Sequence, residues 1–553
     1  MTVVIVFLAA LALALILWMY ARRKNQEVLT QAFAQPAERA VVRRGGAVIA
    51  YHPEVRELGE AILAAGGNAF DAFVAAAAVE NVLAEGASSL AGPLGVLTYR
   101  ASDGQVMYLD ADFNDPHHPN SNNSGRETLG QFILVPGAPA GLEALAKKYG
   151  TLPFSELLKP AMKLASEGFA VKRTMAQTIE HTSGVLKRSD YGRTTFLRNG
   201  KPLAVGDTFR QPEVARFLER LGREGSAYVY EGDWSQRFLS TVSETGGSLT
   251  RNDLAGYAVR WCKPWTTTYR GYTLHSSSGS SYGGLWVLLA LKTLEHATLP
   301  ETTRYWNDAD GLEMLIRISH QVWSERDIFD YRVLADSELV ESLLTEKYSR
   351  SVWERVSAKT PLVFMGVPGS HSYHIITTDA QGNIASGTTT IYSHPWADGI
   401  FVEGVPLTCA GRIPWNTAPG ERRLSPLSIH LALQNGKPKF GVGTISNSIV
   451  EAAFQFLVKL IDYQMPVRET VSSPRFGTFP PKGMSLSKLP RLDANWLDPR
   501  VDRKVVKQLE KRGLKVQQKG LVDTGLGLVM SVDPEGQFEG VPAPLPYVAD
   551  PFK

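Results

Sequence analysis

The sequence predicts a mixed α+β protein in which sheets are sandwiched between helical layers, with one membrane-spanning helix in front of the body. Three observations predict it: an uncharged apolar run from Val3 to Tyr20, a helix-rich stretch reaching to Val356, and β-prone runs alternating with helical patterns after Pro361. At 553 residues, 44% hydrophobic and 20% charged, the chain has apolar material for a large core and is expected to fold as one large body.

The run from Val3 to Tyr20 (VVIVFLAALALALILWMY) has about the length, roughly 20 residues, that crosses a hydrocarbon core, so it is expected to anchor the chain in a membrane. A cleaved leader is the weaker reading, because the small-residue site Ala32-Phe33-Ala34 lies well beyond the run and beyond Arg22-Arg23-Lys24. No Lys or Arg precedes the span and three follow it, a bias that favours a cytoplasmic body. Residues 21–44 read as a linker.

The body opens on a helix from Pro53 to Ala65, stopped by Gly66-Gly67. Asn68 to Leu83 (NAFDAFVAAAAVENVL) follows, apolar on every side and therefore a helix buried nearly all round. Val96-Arg100 and Gln105-Asp110 alternate about Ser102-Asp103-Gly104, a hairpin pattern. A polar loop from Asp112 to Gly130 leads to helical patterns on both sides of Gly150-Thr151-Leu152-Pro153. Ser278 to Gly284 (SGSSYGG) lacks the Lys of a phosphate cradle and is expected to be a turn. After Pro361, His374-Thr378 and Ile384-Ile391 form a second hairpin about Asp379-Ala380-Gln381-Gly382-Asn383, followed by a strand at Phe440-Val442, a helix from Val450 to Tyr463 and a strand from Gly527 to Val532.

Composition and motif together exclude several classes of function. With 58 basic and 55 acidic residues spread along the chain, the net charge of +3 offers no footprint for nucleic acid. Only Cys262 and Cys409 are present, which rules out a disulfide framework and leaves at most one bridge. HExxH and P-loop signatures are absent. His371 and His374, three apart on an extended strand, point to opposite faces and cannot converge on one ion, so no metal and no organic cofactor is expected.

Ser372-Tyr373-His374 leads into Asp379, Gly382-Asn383 and Thr388-Thr389-Thr390. This spacing resembles the nucleophile region of the gamma-glutamyltranspeptidase family, where Thr-Thr-His precedes Asp, Gly-Asn and a Thr-x-Thr strand. Further stretches resemble the family in order. They include Gly66-Gly67-Asn68-Ala69, Val135-Pro136-Gly137, Tyr149-Gly150-Thr151-Leu152-Pro153-Phe154, Asp253-Leu254-Ala255-Gly256-Tyr257, Arg423-Leu424-Ser425 and Ser473-Pro474-Arg475-Phe476.

The resemblance implies a four-layer αββα N-terminal-nucleophile (Ntn) hydrolase fold, made as a precursor that cuts itself between His371 and Ser372. Residues 45–371 would form a large subunit and residues 372–553 a small one. It puts Ser372 on the nucleophile and Thr390 on the threonine that hydrogen-bonds to it. A new N-terminal amine, with an ordinary pKa of about 7.7–8.0, could then serve as general base. The expected substrate is a small-molecule or peptide amide, γ-glutamyl-like or another N-acyl amide. The family habit would also place the body outside the cytoplasm, against the charge bias.

The sequence departs from the family at its recognition residues. Asp112 stands where the family has an Arg for the substrate α-carboxylate, and would repel that group; Arg126, in the loop that follows, is the alternative cation that could reach in. Tyr392 replaces an Asn, Ser425 keeps the first of two paired serines while Pro426 replaces the second, and Ser446-Asn447 replace the Gly-Gly pair whose backbone forms the oxyanion hole. Ala410 to Trp415 replace an acidic segment, and the Gly-rich run is reduced to Ala91-Gly92-Pro93-Leu94-Gly95. These changes strike glutamyl recognition harder than the nucleophile, so glutathione is a doubtful substrate. The alternative is a catalytically inactive, membrane-tethered binding or scaffold protein.

Overall fold

The computed structural model describes residues 41–118, 128–359, 372–392, 396, 398–412, 417–477, 495–518 and 525–543. The expected anchor at Val3-Tyr20, Arg126, and the His371 side of the expected cleavage point lie outside the described residues. Among the described residues no helix is long and apolar enough to cross a membrane.

Two sheets form the centre. In chain order the elements that build them and cover them are β1 (Val41–Arg43), β2 (Gly46–Ile49), α1 (Pro53–Ala64), α2 (Ala69–Leu83), β3 (Leu94–Arg100) and β4 (Gln105–Ala111). Then come β5 (Arg260–Cys262), β6 (Trp265–Tyr269), β7 (Tyr272–Ser276), α3 (Tyr282–Leu294) and α4 (Ala309–Ser324). The last group is β8 (Ser372–Asp379), β9 (Ile384–Thr390), β10 (Ser428–Gln434), β11 (Lys437–Ile445), α5 (Ile449–Ile461), β12 (Leu526–Val532) and β13 (Phe538–Pro542). A six-stranded sheet runs β2-β8-β9-β3-β4-β5, and a seven-stranded sheet runs β1-β13-β12-β11-β10-β7-β6.

Side-chain alternation along the strands sorts the core into two layers. On the six-stranded sheet Val48, Val96, Ile375 and Ala385 point into the cluster shared with α2. Their neighbours Ile49, Leu97, Ile376 and Ile384 point the other way, into the cluster shared with Ile429, Leu431, Val442 and Leu528 of the seven-stranded sheet. α1 and α2 pack on the outer face of the first sheet, α3 and α5 on the second. The layers therefore run helix, sheet, sheet, helix.

α2 has the all-round apolar surface that the sequence predicts, and nearly every residue in it is buried. Its start is fixed by a capping box: Asn68 accepts from the amides of Phe70 and Asp71, and Asp71 accepts from the amide of Asn68. The family-like Asp379 and Asn383 turn out to brace this helix against the hairpin. Asp379 accepts the amides of Gln381 and Asn383, both at 3.0 Å, and that of Ala69 at 2.9 Å. Gly382, at φ +85°, supplies the left-handed turn residue.

One expectation is corrected. Ser278 to Gly284 is only half a turn, because α3 begins at Tyr282 and includes Gly283 and Gly284. Tight packing lets glycine open this helix: a Cβ on Gly283 would lie 2.4 Å from the carbonyl oxygens of Pro426 and Leu427, and one on Gly284 1.9 Å from that of Ser277. Cys262 and Cys409 are both free thiols, so no bridge joins them.

Candidate active site

Ser372 is the first residue of β8, and the antiparallel ladder sets it directly opposite Thr390, the last residue of β9. Its hydroxyl donates to Thr390 Oγ1 at 2.7 Å. Ser372 is 6% exposed and Thr390 fully buried. Alternation puts Ser372 on the same face as His374 and Ile376, toward the seven-stranded sheet.

His374 continues this buried polar column. Its Nδ1 lies 2.8 Å from Thr388 Oγ1 and its Nε2 3.0 Å from Ser386 Oγ. Burial, and secondly the neighbouring His430, depress its pKa to about 3, so the ring is neutral and its nitrogens are spent on hydroxyls. Gly443 of β11 lies flat against this ring, where a Cβ would sit 2.0 Å from Nε2. Among the described residues no group of three or more His, Cys, Asp or Glu side chains could hold a metal ion.

Beyond Thr390 the chain turns through Tyr392, held at φ +46°. The Tyr392 amide also donates to Thr390 Oγ1, at 3.2 Å, and its phenol reaches Asp112 Oδ2 at 3.4 Å. Asp112, just past β4, is 2% exposed and accepts the Phe113 amide at 2.8 Å. Burial first, then the charge of Asp110, raise its carboxyl to about 7; the Phe113 amide, Ser425 and Arg422 pull in the other direction. The sequence reading took Asp112 as a full negative charge. In the fold it is a buried acid that shares its proton near neutral pH.

Arg422, absent from the sequence reading, organises the surroundings of Asp112. Its Nη1 donates to the Asp112 carbonyl and the Tyr257 hydroxyl, its Nη2 to the Ala258 carbonyl, and its Nε lies 3.6 Å from Asp110 Oδ1. Tyr257, from the family-like Asp253-Tyr257 stretch, donates in turn to the Asp112 carbonyl at 2.7 Å. The neighbouring Arg423-Leu424-Ser425 motif was the only signal that could have pointed to Arg422.

Ser425, fully buried, lies beside both Asp112 and Tyr392. Its backbone is strapped to the loop before α3: the Ser425 amide donates to Ser280 O and the Tyr282 amide to Ser425 O, both at 3.0 Å. Asp110 accepts the Ser280 amide at 3.0 Å. The serine-rich loop thus belongs to the site, although its sequence read only as a turn. Gly92 packs on the other side, where a Cβ would meet Thr390 O at 2.3 Å.

Ser446 and Asn447 leave the seven-stranded sheet at the end where β10 enters, since Thr444 pairs with Ser428. Ser446 has φ +74° and Ser448 φ +50°, so the turn keeps left-handed residues although its glycines are gone. Of the segment replacing the family's acidic stretch, Ala410–Arg412 form a short 3-10 turn with Arg412 paired to Asp398 at 2.9 Å; Ile413 to Trp415 lie outside the described residues.

The structure thus joins Ser372, Thr390, Tyr392, Asp112 and Ser425 through an unbroken run of contacts, and sets Ser446-Asn447 in the turn just past β11, the strand whose Gly443 lies against His374. Fold and site define an enzyme of the hydrolase and acyltransferase class. The chain belongs to the gamma-glutamyltranspeptidase family, whose model (Gamma-glutamyltranspeptidase) matches residues 56–544. It is 28% identical to the glutathione hydrolase proenzyme of Bacillus subtilis, covering 90% of each chain. It is 27% identical to the acylase ACY 1 proenzyme of a Pseudomonas species, over 90% of this chain and 91% of that one. The cephalosporin acylase structure from Bacillus halodurans shares the fold at a TM-score of 0.79 and 23% identity, covering 91% of this chain and 95% of the other.

Proposed function

We propose that this protein is an Ntn-type amidohydrolase or acyltransferase that cuts itself before Ser372 and then carries acyl groups on the Ser372 hydroxyl. The observation that carries the reading is the 2.7 Å bond from Ser372 to Thr390, at the head of an inner strand and at the family's nucleophile position. In self-cleavage the Ser372 hydroxyl attacks the preceding carbonyl, the C–N bond shifts to an ester, and water releases the new N-terminus. The freed α-amine then takes the proton from the same hydroxyl as the oxygen adds to a substrate amide carbonyl.

Backbone amides of the Ser446-Asn447 turn serve the resulting oxyanion; changing Gly-Gly to Ser-Asn leaves such donors in place. When the intermediate collapses, the ammonium returns its proton to the departing amine, leaving an acyl ester for water or an acceptor amine. Asp112, Tyr392 and Ser425 face the acyl group, which belongs to a γ-glutamyl-like or other N-acyl amide. Thr390 orients the nucleophile. The run Val3-Tyr20 tethers the enzyme to a membrane, a reading supported by its length and lack of charge.

The test is denaturing electrophoresis with intact mass, alongside Ser372→Ala. Two fragments meeting at Ser372 in the natural protein and one intact chain in the variant are expected. An uncut natural chain with no amidase activity would overturn the reading in favour of an inactive binding protein. For the tether, recovery in the aqueous rather than the detergent phase would count against it.

A further inference from the structure

We infer that Asp112, Tyr392 and Ser425 form a neutral-acyl filter, so that this enzyme takes amides of uncharged, hydrogen-bonding acyl groups and rejects acyl groups that carry a carboxylate at their far end. The inference rests on the proposal that Ser372 is the nucleophile, and adds to it the class of acyl group.

A run of short contacts leads away from the nucleophile. Ser372 donates to Thr390, the Tyr392 amide donates to the same oxygen, and the Tyr392 phenol reaches Asp112. An acyl group on Ser372 that extends along this run meets a phenol, a carboxyl and a serine hydroxyl. Charge there is already one-sided. Asp110 and Asp112 are 1% and 2% exposed, and the cation beside them, Arg422, is 3% exposed and committed to two carbonyls, the Tyr257 hydroxyl and Asp110. An incoming carboxylate would add negative charge to a buried pair of carboxyls without a guanidinium edge to receive it.

Neutral partners are what the site lacks. Among the described residues the Ser280 hydroxyl, 6% exposed, has no hydrogen-bond partner, and the buried Ser425 hydroxyl faces the Asp112 carboxyl and the Tyr392 phenol. Buried hydroxyls of this kind call for a ligand or water that can both donate and accept. A primary amide or hydroxyl at the end of the acyl chain meets that demand at no cost in charge. The carboxyl of Asp112, raised by burial, adds a group that can present either a proton or a lone pair near neutral pH.

The experiment compares two nearly isosteric chromogenic substrates, glutaryl p-nitroanilide and 5-amino-5-oxopentanoyl p-nitroanilide, which differ in a terminal carboxylate against a primary amide. For the full natural chain, kcat/KM for the amide-ended substrate is expected to exceed that for the acid by about 100-fold. Asp112→Arg should reverse the order while still cutting itself, which serves as the folding control. Should that variant fail to fold, Tyr392→Phe, which removes only the hydroxyl on Asp112, is expected to lower kcat/KM for the amide about tenfold and so to narrow the amide-to-acid ratio by about the same factor; an unchanged ratio would overturn the filter. A self-cut enzyme that turns over the acid as fast, or hydrolyses neither, overturns the filter but leaves the nucleophile standing. An uncut, inactive natural chain overturns both.

Discussion

Thr390 Oγ1 receives two donors at once, the Ser372 hydroxyl at 2.7 Å and the Tyr392 amide at 3.2 Å, and so couples the expected nucleophile to the turn proposed to line the acyl site. Thr390→Val keeps the shape and removes the acceptor. Self-cutting and turnover are both expected to slow by about 10- to 100-fold, whereas Thr390→Ser should keep most of both. Time courses of band splitting and amidase assays would show it; unchanged rates in the valine variant would remove Thr390 from the mechanism.

The buried acid at Asp112 makes a prediction about stability and pH. Its folded pKa of about 7 lies above the unfolded value of 3.8. Between those values the folded state holds the extra proton, so the favourable contribution is complete below about pH 4 and is lost as pH rises through 7. Asp112→Asn mimics the protonated form. It is expected to match the natural protein near pH 4 and to be more stable by about 2–4 kcal/mol at pH 8, measured by urea unfolding. Equal midpoints at pH 8 would mean that Asp112 ionises in the fold without penalty.

Three buried histidines act with the opposite sign. Burial lowers His320, His374 and His430 to about 3 from 6.5. Their neutral forms favour the fold above pH 6.5, and this contribution is lost as pH falls toward 3, by about 1.4 kcal/mol per pH unit for each group. Unfolding free energy should therefore drop between pH 6 and pH 5, and His430→Gln should lessen that slope by about 1.4 kcal/mol per pH unit. A slope untouched by the substitution would show that His430 titrates normally.

Gly443 offers a packing test. A methyl group there would lie 2.0 Å from the His374 ring, between two sheets with nowhere to move. Gly443→Ala is expected to cost about 2–4 kcal/mol, seen as a lower melting temperature, and to impair self-cutting because His374 stands two residues from Ser372. Melting within a degree or so of the natural protein would mean the sheets can part.

Much of the fold was legible because it rests on local signals. The all-apolar stretch at Ala69–Leu83, the Asn68 cap and the alternation on either side of Ser102-Asp103-Gly104 each carry their own instruction, and the elements lie within a residue or two of where these point. In the site, the pairing of Ser372 with Thr390 was legible through the resemblance to the family's nucleophile motif. The environment of Asp112 was not. Its pKa is raised by burial first and by Asp110 second, and is held back by Arg422 and Ser425; nothing in residues 109 to 114 announces that the carboxyl is buried or that Arg422 and Ser425 converge on it. Arg422 was missed for the same reason: its partners Tyr257 and Ala258 are remote in sequence.

The order of strands has a consequence for what a cut before Ser372 could do. β8 and β9 lie between β2 and β3, while β13, β12, β11 and β10 lie between β1 and β7. Each half of the chain thus contributes strands to both sheets, interleaved like the fingers of clasped hands. Pulling the halves apart would mean unzipping hydrogen-bonded ladders on four borders and opening the space between the sheets. Breaking one peptide bond would therefore change the enzyme's chemistry without changing its assembly, and the two pieces should travel as one particle until the whole core melts.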